Sequence, residues 1–236
     1  MRLTDISAGR NYIEACGGRK APMVSKTPPG GKMKQLTVTA LVLLAAACGA
    51  DQVVLQPTGA DSQDAYLEEA DPNSNFGTAE ELLVSLEAGG ERSSLIHFTE
   101  LDDYQGVTVN SAVLELYVEH ITELIDMSSW LVTDNWDEAT VTWSNRPSML
   151  AGSDIQFAIP DFGYWQSVDI TDYAVEWLEN GLPNNGIYLI YEGTEYRTAT
   201  LCSGENADDT HAPRLTLEYQ PTAVETASWG AIKAGD

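Results

Sequence analysis

The sequence predicts an all-β domain, a sandwich or barrel that carries one short helix. Three observations predict it. Between residues 61 and 219, strand-length runs alternate with turn signals. One of those runs, residues 111–120, alternates apolar and polar side chains with a period of two. A single stretch, residues 170–178, has its apolar side chains at helical spacing instead.

In residues 111–120, Ala112, Leu114, Leu116 and Val118 take one face, and Val113, Glu115, Tyr117 and Glu119 take the other, as successive side chains of a strand must. The other strand-length runs are 66–67, 82–86, 94–98, 129–133, 140–143, 155–159, 165–170, 187–191, 198–202 and 215–219. Asp71-Pro72-Asn73, Gly89-Gly90, Arg146-Pro147 and Asn184-Asn185-Gly186 punctuate them as turns. In the helical stretch, Ile170, Tyr173, Ala174, Trp177 and Leu178 share one face. Asp169 or Thr171 is placed to cap its start, Asp172 and Glu176 suit its positive end, and Gly181 suits a left-handed position after its last turn.

Charge is divided unevenly along the 236 residues. Seven of the twelve Lys and Arg precede position 35, whereas only Asp5 and Glu14 of the 36 acids precede Cys48. From Cys48 onward, five bases face 34 acids, a net charge of −29. Such a surface repels phosphate backbones and anionic headgroups, which argues against nucleic acid as a partner. Self-repulsion also favours a soluble monomer. Cys16, Cys48 and Cys202 supply no disulfide framework, so the fold must rest on core packing.

Residues 36–47 carry no charge, follow Lys32 and Lys34, and end at Cys48. A helix needs about 20 apolar residues to span a bilayer, so this run is too short. It matches the apolar core of a secretory signal, about 7–15 residues long. The ending Leu44-Ala45-Ala46-Ala47-Cys48 resembles the lipobox of bacterial lipoproteins, in which the cysteine thiol receives diacylglycerol. The expected organisation is residues 1–32 upstream of the true start of translation, 33–47 a lipoprotein signal peptide, 48–60 a tether, 61–219 the β-sandwich and 220–236 a flexible tail. The product is then lipid-anchored through Cys48 to the bacterial cell envelope (outer membrane or cell surface), or secreted. Its contact with membrane is through that lipid alone.

Several segments taken in order carry a family resemblance. Asp64-Ala65-Tyr66-Leu67 with Pro72-Asn73-Ser74-Asn75-Phe76-Gly77, Arg92-Ser93-Ser94-Leu95-Ile96-His97-Phe98, and Val109-Asn110-Ser111-Ala112-Val113-Leu114-Glu115-Leu116 open the series. Trp136-Asp137-Glu138-Ala139-Thr140-Val141-Thr142-Trp143-Ser144-Asn145-Arg146-Pro147 is its most specific segment. Val168-Asp169-Ile170-Thr171-Asp172-Tyr173, Asn184-Asn185-Gly186-Ile187, Ser203-Gly204-Glu205 and Ala212-Pro213-Arg214-Leu215 close it. Together they resemble DNRLRE domains, which are β-sandwiches similar to carbohydrate-binding module family 96. The resemblance implies an all-β, jelly-roll-like β-sandwich with the short helix packed on it. It further implies a non-catalytic surface module that contacts glycan, alginate in some members. The alternatives are a structural or protein-interaction module of the envelope and, third, a polysaccharide lyase or hydrolase.

Arg92, His97, Tyr117 and Trp165 are the candidate glycan contacts. Tyr117 lies on the polar face of its strand and His97 alternates with Ile96 and Phe98, so both are expected to project from one sheet. Trp165 follows Gly163-Tyr164 at a loop-to-strand entry. A solvated sheet face with Arg92 in a structural ion pair is the competing reading. Trp136, Trp143 and Trp177 are expected as core anchors, since large aromatics contribute most there. With so few cations, a glycan partner is expected to be neutral or bridged by a metal. Loops 61–64 and 205–209 offer hard oxygens to a structural Ca2+. His97, His120 and His211 form no His-x-x-x-His pair, and no Gly-x-Ser-x-Gly or phosphate loop occurs. Cys202, within a strand-like run, reads as a small buried hydrophobe. Mass spectrometry of the native protein is expected to find a lipidated N-terminal Cys48. An intact Met1 in a cytosolic fraction would contradict it.

Overall fold

The computed structural model describes residues 50–221. They form β1 (Asp51–Leu55), β2 (Asp64–Glu68), β3 (Glu81–Glu87), β4 (Gly90–Ile96), β5 (Thr108–Ile121) and β6 (Ile125–Leu131). Then follow β7 (Ile155–Ile159), β8 (Tyr164–Asp169), α1 (Thr171–Leu178), β9 (Ile187–Tyr191), β10 (Arg197–Cys202) and β11 (Arg214–Gln220). The fold is all-β with one short helix, and each of the ten strand pairings is antiparallel.

The main path of the sheet is β1-β11-β5-β10-β3-β4-β9-β6-β7, with β8 joined to β5 and β2 to β4. β5 is long enough to branch it. One edge of β5 carries β11 and then β10 end to end, while its other edge carries β8. β4 branches likewise, with β2 along one edge and β3 followed by β9 along the other. The sheet thereby folds over a single core. Leu114, Leu116 and Val118 of β5 share one buried cluster with Met127 of β6 and Ile187 and Leu189 of β9, strands not hydrogen-bonded to β5. That is sandwich packing, with inner faces interdigitating. Each fully buried aliphatic side chain of this kind contributes about 1.5–3 kcal/mol.

α1 lays Tyr173, Ala174, Trp177 and Leu178 into the same core. The Asp169 carboxylate accepts from Thr171 N (3.0 Å) and Thr171 Oγ1 (2.6 Å), which fixes the helix start from two residues before it. Gly181 takes φ 78°, the left-handed turn expected after the last turn. A second apolar cluster lies on the outward face of β2, β4 and β9. Ala65, Leu67, Leu95 and Tyr188 are covered there by Val132, Trp136 and Val141 of the segment 132–147.

Four expectations change. Residues 51–55, expected within a tether, form β1, because the open edge of β11 pairs with them and Leu55 is buried. Residues 140–143 form no strand. Thr140 N and Val141 N donate to Asp137 O, and the Asn145 side chain takes the Thr142 N–H (2.6 Å), which closes a turn into the short 3-10 helix Trp143–Asn145. Trp143 is therefore half-buried at the margin of the second cluster, whereas Trp136 and Trp177 are buried. β11 runs on to Gln220, one residue into the segment expected as tail. Cys202 is buried as expected, and burial pushes its thiol up to about 12. The segments 1–32, 33–47 and 222–236, and Cys48, lie outside the described residues. Trp177→Ala is expected to lower stability by about 3–5 kcal/mol, as a fully buried aromatic does, and Trp143→Ala by clearly less. Urea unfolding of both variants checks the order.

Candidate functional site

Two places combine side chains in ways that packing alone does not require. The first is a surface groove of about 210 Å³. Its walls come from β4 (Arg92, Ser93), β9 (Tyr188, Tyr191) and the 3-10 turn (Trp143, Arg146). Arg92 is fixed at the base, with Nη2 on Glu68 (2.7 Å) and Nη1 on Glu87 (2.6 Å). Tyr188 Oη and Ser93 Oγ are hydrogen-bonded (2.9 Å). The Arg146 guanidinium carbon stands 4.2 Å from the Trp143 ring centroid, and its Nη1 donates to Trp143 O (2.7 Å). Arg146 is exposed and, among the described residues, has no carboxylate partner. The groove thus presents the Trp143 ring with the Arg146 guanidinium lying over it, a cation–π pair that no carboxylate neutralises among the described residues.

The second is a cluster of three carboxylates. Asp64 opens β2, Glu138 sits in the turn after Trp136, and Glu205 follows β10. One oxygen from each lies within 4.8 Å of the others. Local geometry brings them together. Asn75 Nδ2 clamps Glu138 O (2.6 Å) and Val141 O (2.7 Å), and a Cβ at Gly77 would overlap the Glu138 backbone. A Cβ at Gly204 would overlap Ser62, so only glycine lets Gly204 N reach Asp64 Oδ2 (2.8 Å). Burial, then the charge of Glu205, raises Asp64 well above the usual carboxylate range. Burial pushes Glu138 up to about 7, against the hydrogen bond from Asp64 N. Such a donor set of hard oxygens fits a metal ion.

A family model for carbohydrate-binding module family 96 matches residues 56–219. The chain belongs to that family. It is also 29% identical over 152 residues, 62% of its length, to the tRNA nuclease WapA of Bacillus subtilis (strain 168). The same figures hold for the tRNA(Glu)-specific nuclease WapA of Bacillus subtilis subsp. natto (strain BEST195). The chain spans only 6% of the length of those relatives. The cryo-EM structure of Mud crab tombus-like virus aligns over 93% of this chain and 97% of that one, at 13% identity and a TM-score of 0.27.

In this family 96 module the four expected contacts do not form one patch. Arg92 lines the groove, held by its two glutamates. Tyr117 and Trp165 do meet, edge to face at 5.5 Å on neighbouring strands β5 and β8. Their flat faces are already in use, Tyr117 stacked on His211 (3.6 Å) and Trp165 beneath the Arg214 guanidinium (4.1 Å). His97 is the correction. It lies just past the end of β4, only 9% exposed, with Nδ1 bonded to the Gln63 side chain (2.9 Å). The segment 132–147 covers that face, and Trp136 lies 6.4 Å from the imidazole. Sequence reasoning missed Trp143 and Arg146 as a pair; the signal was their three-residue spacing across a turn. It singled out loops 61–64 and 205–209 but not Glu138, which completes the cluster.

Burial holds His97 below its ordinary value, with Asp102 and Asn184 opposing. The unfolded chain then binds the extra proton first, so stability falls as pH drops through about 6.5 toward the folded value. Melting temperatures of the wild type and His97→Gln should converge as pH falls from about 7 to about 5. Parallel curves would mean that His97 does not titrate between the two states.

Proposed function

We propose that this chain is a non-catalytic glycan-binding module displayed on the cell envelope through lipid on Cys48. The groove between β4, β9 and the Trp143–Asn145 turn is its binding surface. One observation carries the assignment: Trp143, in the most specific motif of the chain, is half-buried and lines this groove with Arg146 and Tyr188. Family membership supports a saccharide as the ligand class. A sugar packs against the Trp143–Arg146 pair, and the guanidinium N–H groups not given to Trp143 O donate to its hydroxyls. From Cys48 onward five bases face 34 acids, and like charges 4 Å apart repel by about 1 kcal/mol even in water. A neutral glycan, or an acidic one bridged by a metal, therefore suits the surface better than a bare polyuronate.

The test is a glycan array on the purified full chain, followed by calorimetry on the best ligand. Trp143→Ala is expected to cost about 2 kcal/mol, roughly thirtyfold in Kd, as the truncation of a central aromatic contact does. Arg146→Ala should weaken binding in the same direction, and Trp165→Ala should leave it unchanged. Loss on Trp165→Ala instead would move the site to β5 and β8. Release of reducing ends or unsaturated products would overturn the non-catalytic reading.

A further inference from the structure

The carboxylate cluster is not explained by the groove. Asp64 is only 3% exposed, yet its Oδ1 has no hydrogen-bond partner, and neither has the buried Oε2 of Glu205. The donors nearby are engaged elsewhere on the same groups. Gly204 N bonds Asp64 Oδ2 (2.8 Å), Ser62 Oγ bonds Glu205 Oε1 (2.7 Å), and Asp64 N bonds Glu138 Oε1 (2.8 Å). No lysine occurs between residues 50 and 221. Of the four arginines there, Arg92, Arg197 and Arg214 are paired with other glutamates, and Arg146 stands over Trp143.

Three carboxylates brought this close, and taken largely out of water, repel one another strongly unless something positive lies among them. We infer that Asp64, Glu138 and Glu205 together bind one calcium ion. The donor set is oxygen alone, which selects a hard cation over zinc or copper. Oxygens on opposite sides of a calcium ion, at about 2.3–2.6 Å each, stand up to about 5 Å apart. The three carboxylate oxygens, all within 4.8 Å of one another, can share one such ion. Water completes the coordination. The ion ties together the start of β2, the turn carrying Glu138 and the turn after β10, three segments far apart in sequence. Its place is structural, and it does not depend on a glycan occupying the groove.

The test uses the full chain freed of metal with EDTA, then titrated with CaCl2 by calorimetry and by thermal melting, with MgCl2 and NaCl in parallel arms. The expected result is one calcium per chain and a melting temperature that rises and saturates, with a weaker response to magnesium and a gradual one to sodium. Asp64→Asn and Glu205→Gln should each weaken calcium binding more than about tenfold, since affinity follows the number of charged ligands. Asp103→Asn, an exposed acid elsewhere, should not. Two variants are used because one of them alone could fail to fold, and circular dichroism in EDTA checks each. Trp143→Ala should keep the full calcium response, which separates this site from the glycan groove. No stoichiometric calcium, or an equal response in the folded Asp64→Asn and Glu205→Gln variants, overturns the inference. A chelator-insensitive protein whose stability only falls with rising pH would mean that a shared proton, not an ion, holds the cluster together.

Discussion

Positive charge is scarce in this domain, and its placement governs how the sheet is held and where a ligand can be met. Four arginines and no lysine lie within residues 50–221. Three of the four sit at seams. Arg92 of β4 joins β2 and β3 through Glu68 and Glu87, and Arg214 of β11 joins β5 through two bonds to Glu115 (2.7 and 2.9 Å). Arg197 of β10 reaches Glu123 in the β5–β6 turn (3.1 Å). The Arg92–Glu68 and Arg214–Glu115 pairs are only about a fifth to a third exposed and are screened less than on an open surface, whereas Glu123 is 72% exposed and its pair with Arg197 is a screened surface contact. Only Arg146 is left over, and it stands at the groove.

The segment 132–147 reaches both the groove and the carboxylate cluster. Trp136 closes the outer apolar cluster and donates Nε1 to Asn185 O (2.9 Å). Two residues later Glu138 enters the carboxylate cluster, and Val141 returns to the apolar layer. Trp143 and Arg146 then face the groove. One irregular stretch thus supplies apolar core, a member of the carboxylate cluster and a groove wall in turn, which helical or strand periodicity could not deliver. A turn fastened by Asn75 and Asn145 can.

Where one face of a strand was buried and the other open, the sequence could be read directly. Alternation in residues 111–120 is alternation of burial in β5, and the helix obeyed both its apolar face and its glycine stop. Reading failed where both faces are covered. Ser93 through Phe98 are all buried, so the alternation that placed His97 outside had no meaning there. β1 was missed because Asp51 and Gln52 are polar and the run is short; only the waiting edge of β11 makes it a strand. The ordered motifs located Asp64, Glu138 and Glu205 singly. Their convergence is a property of three loops in space, and no local pattern encodes it.

The pairing of β1 with β11 has one more consequence. Asp51 stands opposite Tyr219, so the first and last strands of the domain meet at the end where the chain enters and leaves. Partners across such a pair are about 5 Å apart. A unit with juxtaposed ends can be spliced into a loop of a larger protein without prising its flanks apart, and termini of this kind are where insertion is tolerated. The relatives it resembles are long chains of which it matches a small fraction. The strand order of the described residues leaves both flanks on one side of the domain.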